Sequence, residues 1–235
     1  MVFYDLVPRY ERRSVPNPKT SSDLAALART CKAFEDPALN LLWKNQNSIE
    51  NVLTCMPEDV WDRCVPDNGQ KVRIRLRRAI LPTDWERPLY YSQRVKSFTF
   101  NEMSRLSGPA DRELFQTLRL SFPQRSLFPN IQKIFWNSKT GDFIPYIPLF
   151  LGPGITDLFL GVFHSASQLS LLSTLAAQCP SLKSATISSS RDIPDQSQSI
   201  SLLVRALHHL ETLSVHCLDE AAFAHIARLP TLTSL

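Results

Sequence analysis

Five histidines stand at positions 164, 208, 209, 216 and 225, and His208, His209, His216 and Cys217 form the grouping nearest to a zinc set. Spacing argues against it: His208 and His209 are consecutive, so on a helix they point in different directions and cannot close on one ion. The five cysteines, Cys31, Cys55, Cys64, Cys179 and Cys217, are an odd set without a CxxC pair, which reads as structural free thiols in a reducing compartment. Glu58, Asp59 and Asp62 gather carboxylates behind Pro57, where a helix N-terminus would use their charge. Six glycines, none in a GxGxxG or GxxxxGK[ST] pattern, supply no phosphate-cradling loop, and Gly152-Pro153-Gly154 is explained by a turn. No catalytic set, cofactor or metal site is expected, and the chain reads as a non-enzyme.

Composition bounds the rest. At 235 residues the chain is long enough for a sizeable core, and 43% apolar content excludes wholesale disorder. No apolar run approaches the roughly 18 residues of a membrane span, and Asp5 and Pro8 interrupt the N-terminal stretch where a signal peptide would need an apolar core. An intracellular location, cytoplasmic or nuclear, and no membrane partner are therefore expected. The net charge of +4 favours no partner class. Lys71 to Arg78 alternates basic and apolar residues, so a strand would place Val72, Ile74 and Leu76 on one face and the cations on the other. With no aromatic platform among those charges, the pattern suits a solvated edge strand better than a nucleic-acid site.

Asp23 to Gln46 encodes two short helices and reads as an interaction module, not an active site. Ser22 is placed to cap a helix carrying Leu24, Leu27, Ala28 and Cys31 as an apolar stripe. Asp36-Pro37 predicts its end and the start of a second helix with Ala38, Leu41 and Leu42 on one side. Helices below roughly 12 residues are marginal in water, so the pair needs another surface to cover its stripes.

The run Asp23-Leu24 to Phe34, the segment Pro37-Ala38-Leu39 to Leu42-Trp43, and Pro57-Glu58-Asp59-Val60-Trp61 together resemble the second half of an F-box of the kind found in fungal F-box proteins. Asp84 to Arg87 and Arg94 to Lys96 are similar to the same family. The family's opening helix, a Leu-Pro motif followed by Ile, Leu and Phe, has no counterpart, since Met1 to Thr20 carries Arg9, Arg12, Arg13 and three prolines. The resemblance implies docking to the Skp-type adaptor of a cullin-based ubiquitin ligase, with Leu24, Leu27, Phe34, Leu41, Leu42 and Trp43 on the adaptor side. The alternative is a free-standing repeat scaffold without ligase docking.

Downstream, an apolar triplet spaced i, i+3, i+5 recurs as Val95/Phe98/Phe100, Ile131/Ile134/Trp136, Ile155/Leu158/Leu160, Leu182/Ala185/Ile187 and Leu210/Leu213/Val215, and begins again at Leu232/Leu235. Its beat of roughly two to three dozen residues is that of leucine-rich repeats. Helical faces fall between the copies: Leu169, Leu172 and Ala176 before the Cys179-Pro180 stop, then Ile200, Leu203 and Leu207, then Ala222, Phe223 and Ile226 behind an Asp219 cap. The predicted fold is α/β. A basic, proline-containing arm (1–20) and a partial F-box-like helical module (21–65) lead into a connector and cap (66–94), in which Thr83 to Glu86 has capping-box spacing. An irregular leucine-rich-repeat solenoid (95–235) follows, its parallel strands on the concave face and its helices outside, and it reads as truncated at Leu235.

Residues alternating with the triplets should face a partner. Phe135 and Phe159 are expected to be neighbours on adjacent strands, exposed, with Lys133 and Asp157 beside them, as the hot spot for an unknown client protein.

Overall fold

The computed structural model describes residues 18–64, 73–102, 109–189, 193 and 195–235, and every structural statement below concerns these residues. Residues 1–17 of the arm, and Lys71 and Val72 of the basic run, lie outside them, and the arm's last three residues, Pro18 to Thr20, belong to the first helix.

Helix α1 spans Pro18–Ala28 and helix α2 spans Lys32–Trp43. The two pack on each other and are joined by a turn at Arg29 and Thr30. The break thus falls earlier than Asp36-Pro37: Cys31 is extended (φ −156°, ψ 158°), and α2 runs through Pro37. Proline there forgoes only the bond to the Ala33 carbonyl, one turn into the helix, while burial of Ala38 and Trp43 downstream holds the remainder. Ser22 lies inside α1 and caps nothing.

Six strands form one parallel sheet in chain order. They are β1 (Asn45–Gln46), β4 (Ser97–Asn101), β5 (Lys133–Asn137), β6 (Asp157–Phe163), β7 (Ser184–Ser189) and β8 (Thr212–Ser214). Between β1 and β4 come the single-turn helix α3 (Glu50–Leu53), the antiparallel pair β2 (Trp61–Cys64) and β3 (Arg73–Leu76), a 3-10 turn at Pro82–Trp85, and α4 (Glu86–Ser92). Later connections carry α5 (Pro109–Ser121), a 3-10 segment at Ile144–Leu149, α6 (Ala166–Gln178), α7 (Gln196–Arg205) and α8 (Glu220–Ile226). Neighbouring connections touch in chain order, as same-handed crossovers of a parallel sheet require.

The triplets supply much of the core, except toward the C-terminal end, where Val215 and Leu232 are half-buried and Leu235 is 66% exposed. Phe98, Ile134, Leu158, Ala185 and Leu213 stand in one row across β4 to β8, and Phe100, Trp136, Leu160 and Ile187 in the next. All nine are buried, as are the leading residues Val95, Ile131, Ile155, Leu182 and Leu210. The wide spacing before Ile131 is filled by aromatic bulk: Phe100 stacks on Trp136 (centroids 4.2 Å apart) and Phe98 on Phe150 (4.8 Å), with Phe115 of α5 edge-on to Phe100. The helical faces at Leu169/Leu172 and Ile200/Leu203 are buried as expected, and Asp219 caps α8 by accepting the Ala222 N–H at 2.7 Å. Phe223 departs from expectation, lying 49% exposed while Ala222 and Ile226 pack inward.

One backbone detail sets the first rung. The carbonyl of the residue after each leading position accepts two N–H groups from the following rung: Lys96 from Gln132 and Lys133, Gln132 from Thr156 and Asp157, Thr156 from Lys183 and Ser184, Lys183 from Glu211 and Thr212. Lys44 does the same for Lys96 and Ser97, at 2.8 and 3.0 Å. Trp43, Gln46 and Ser48 therefore occupy the triplet positions of an earlier rung, and all three are buried. The sheet begins inside the span assigned to the helical module, at β1, and the basic strand β3 belongs to a separate two-stranded sheet with β2.

Candidate interaction surfaces

On the face opposite the core, the strands align the alternate residues as their spacing requires. Lys133 is paired with Asp157 and Phe135 with Phe159 in the β5–β6 register. The Lys133 ammonium meets the Asp157 carboxylate at 3.0 Å, and the two rings stack with centroids 4.2 Å apart and planes 13° from parallel. Further along, Thr212 donates to the Ser184 hydroxyl at 2.7 Å. Exposure corrects the expectation: Phe135 is only 4% accessible, so Phe159, half-buried, is the ring offered outward. Stacking removes one face of each ring from solvent, and Phe135 is enclosed on its remaining sides.

Gly161 continues this face where a side chain has no room. A Cβ there would stand 3.0 Å from the Asn137 amide oxygen and 3.1 Å from the Trp136 carbonyl. The β6–β7 register shifts between Leu160 and Phe163, just at this position.

The six residues assigned to the adaptor side divide in two. Leu27, Phe34 and Leu41 are 40%, 50% and 56% exposed, and Leu24 is half-buried, so α1 and α2 present an apolar surface that the rest of the chain leaves open. Trp43 instead is buried and stacks on Tyr91 of α4 at 4.8 Å, while Leu42 packs partly against the core. A carbonyl bonded into the sheet one residue later leaves the Trp43 side chain no freedom to face outward. Sequence spacing did not show this rung because its other members are polar. Gln46 is satisfied by donating to the Leu42 carbonyl (3.2 Å) and accepting from Asn51 (2.8 Å), and the Ser48 hydroxyl accepts the Glu50 N–H.

A second tie fixes α2 to the sheet. The Arg94 guanidinium donates to Asp36 (2.6 Å), Asn40 (2.5 Å) and the Tyr90 hydroxyl (2.9 Å), and lies 4.8 Å from the Tyr90 ring centroid. Its two partners on α2, Asp36 and Asn40, are 58 and 54 positions away in sequence, so no local pattern could reveal the tie.

One member of each charged cluster, Asp59 and Arg78, is tied into the fold. Pro57 leads a turn into β2, not a helix, and Asp59 accepts from Arg78 at 2.8 Å. Arg78 also grips buried Asp84 bidentately, at 2.6 and 3.0 Å, and Asp84 accepts the Leu81 N–H at 2.7 Å. That contact replaces the box expected across Thr83 to Glu86. The hydrogen bond from Arg78 holds the Asp84 carboxyl below the usual range against the opposing effect of burial. In β3, Ile74 is buried and Leu76 half-buried while Arg75 is exposed, as the alternation predicts.

Glu102, at the end of β4, is a buried carboxylate that sequence reading passed over. It accepts from Ser138 (2.8 Å), the Lys139 N–H (2.6 Å), and Thr140 through both its N–H (3.1 Å) and hydroxyl (2.6 Å). Burial pushes its pKa up, but these four donors outweigh burial and hold it below the usual glutamate range. The turn they organise ends at Gly141, whose φ of +74° suits glycine.

Among the described residues, no group of three or more histidine, cysteine or acidic side chains could hold a metal ion. His208 stands edge-on to His225, whose Nε2 meets the Leu207 carbonyl at 3.2 Å. Burial pushes the Cys55 and Cys179 thiols up to about 11, so both stay protonated at neutral pH. No described helix is long and apolar enough to cross a membrane. Comparison with protein-family models, with curated proteins and with solved structures gives no match.

Proposed function

We propose that this chain is a non-enzymatic substrate-recognition subunit of a Skp-cullin-F-box ubiquitin ligase. Helices α1 and α2 are the adaptor-docking part of an incomplete F-box, and the strands and helices after them are an irregular leucine-rich-repeat solenoid that holds a client protein. The observation that carries the reading is the split within one short helix pair. Leu27, Phe34 and Leu41 stay exposed, while Trp43 of the same pair is locked into the first rung of the sheet. Apolar side chains exposed on a helical pair fit a protein-binding face. A pair bonded rigidly to a repeat sheet would hold a client at a fixed separation from the adaptor, which raises its effective concentration at the transferring enzyme without bond chemistry here. Such a role belongs to the cytoplasm or nucleus.

Binding to a purified fungal Skp-type adaptor, measured by calorimetry on the full chain, tests this. Micromolar or tighter binding that Leu27→Asp and Phe34→Asp each weaken at least tenfold is the expected result. No binding by the folded wild-type chain removes the ligase assignment and leaves the free-standing scaffold, which the intramolecular packing of Trp43 and Leu42 favours.

A further inference from the structure

A groove at the junction of α2, α4 and the first two rungs is lined by Asn40, Leu41, Lys44, Tyr90, Arg94 and Lys96 with their neighbours Gln93 and Asn130. We propose that it is a binding site for an acidic peptide segment of a partner protein, with a carboxylate-bearing stretch on Lys44 and Lys96 and an apolar side chain against Tyr90 and Leu41.

Charge placement carries the proposal. Lys44 and Lys96 hold equivalent positions on consecutive rungs, the Lys44 carbonyl accepts the N–H of Lys96 at 2.8 Å, and both residues line the same groove where the strands begin. Like charges directly across a ladder are destabilising. Elsewhere this fold pairs opposite charges on neighbouring strands: Lys133 with Asp157 at 3.0 Å, and, in the same row as Lys44 and Lys96, Lys183 with Glu211 at 2.7 Å. The first two rungs are the exception. No carboxylate lines the groove among the described residues, and Asp36, one turn before Asn40 on α2, is engaged by Arg94. Lys44 ends α2, where the helix dipole offsets part of its repulsion, but Lys96 has no such compensation.

The apolar wall is preformed. Tyr90 is 44% exposed yet fixed: Arg94 donates to its hydroxyl at 2.9 Å and lies over its ring, and Tyr91 packs edge-on at 5.1 Å while stacking on buried Trp43. An exposed aromatic ring that needs no ordering on binding is a favourable anchor. Leu41, 56% exposed, extends that wall. A short acidic peptide suits two lysines without a carboxylate partner among the described residues better than nucleic acid does, whose affinity comes from neutralising many phosphates. The proposal does not rest on the ligase assignment. Leu41 belongs to both surfaces and is left unchanged in the test.

The experiment is fluorescence anisotropy on the full chain with fluorescein-labelled Glu-Glu-Phe-Glu-Glu, its Ser-Ser-Phe-Ser-Ser counterpart, and an oligothymidylate of equal charge as competitor. The acidic peptide should bind at least tenfold tighter than the serine peptide. Lys44→Gln/Lys96→Gln should remove that difference, Tyr90→Ala should weaken binding at least threefold, and Lys139→Gln, a change at an exposed lysine outside the groove, should leave it unaltered. Equal affinity for both peptides overturns the proposal, as does an unchanged affinity in the double variant, or displacement by the oligothymidylate at concentrations equal to the unlabelled peptide. Adaptor affinity measured on the same double variant should not move, so failure of this site and failure of the docking assignment remain distinguishable.

Discussion

Two residues show how position within one strand pair decides consequence. Phe135 and Phe159 stack face to face, but only Phe135 is enclosed. Phe135→Ala is expected to cost about 3–5 kcal/mol, the range for emptying a buried phenylalanine site. Phe159→Ala should cost about 1–2 kcal/mol, because its exposed side leaves water rather than a void. Chemical denaturation of both variants checks this, and equal losses would contradict the burial difference. Glu102 sets a pH dependence. Its folded pKa is depressed, so its contribution to stability is fully present above the ordinary glutamate range and is lost as pH falls through that range toward the lower folded value. Glu102→Gln should therefore reduce stability at neutral pH and flatten the acid limb of a melting-temperature profile. An unchanged acid limb would show that its donors do not favour the carboxylate.

At the scale of elements, α2 is both a surface and a tether. Its outward side chains Phe34 and Leu41 make few demands on the fold, so Phe34→Ala should change stability by no more than about 0.5 kcal/mol. Trp43→Ala should cost about 3–5 kcal/mol, since it removes both the first-rung core residue and the stack on Tyr91. Arg94→Lys tests the second tether. One ammonium cannot reproduce a planar guanidinium that reaches Asp36, Asn40 and Tyr90 together, so amides of α2 should exchange hydrogen faster while those of β5 and β6 are unaffected. Uniform protection across α2 in that variant would mean that Trp43 alone holds the helix.

Across the whole molecule, one continuous apolar cluster runs from Trp43 to Ile226. Elements that share one apolar cluster stabilise one another through it. All four tryptophans, Trp43, Trp61, Trp85 and Trp136, lie in the earlier part of the chain, so their fluorescence reports that part while far-ultraviolet circular dichroism reports every helix. The two probes should give coincident denaturant transitions. A fluorescence midpoint clearly apart from the dichroism midpoint would divide the cluster into separately folding blocks.

By itself the sequence determined strands β4 to β8 and their mutual register. A parallel ladder buries every second residue, so the triplets and the Lys133–Asp157 and Phe135–Phe159 pairings could be read from spacing alone. The helices after β6 were legible for the same reason, since each buries one periodic face. What only the tertiary structure decided are the features made by distant or polar groups. The first rung is hidden because Gln46 and Ser48 fill apolar positions through local hydrogen bonds. The α1–α2 break lies at Cys31 because burial outweighs the single bond lost at Pro37, and Phe135 is covered although its spacing matches that of an outward residue. Arg94 joins residues more than fifty positions away. Periodicity records which face of an element points inward; only packing determines whether the other face is left open, and to what.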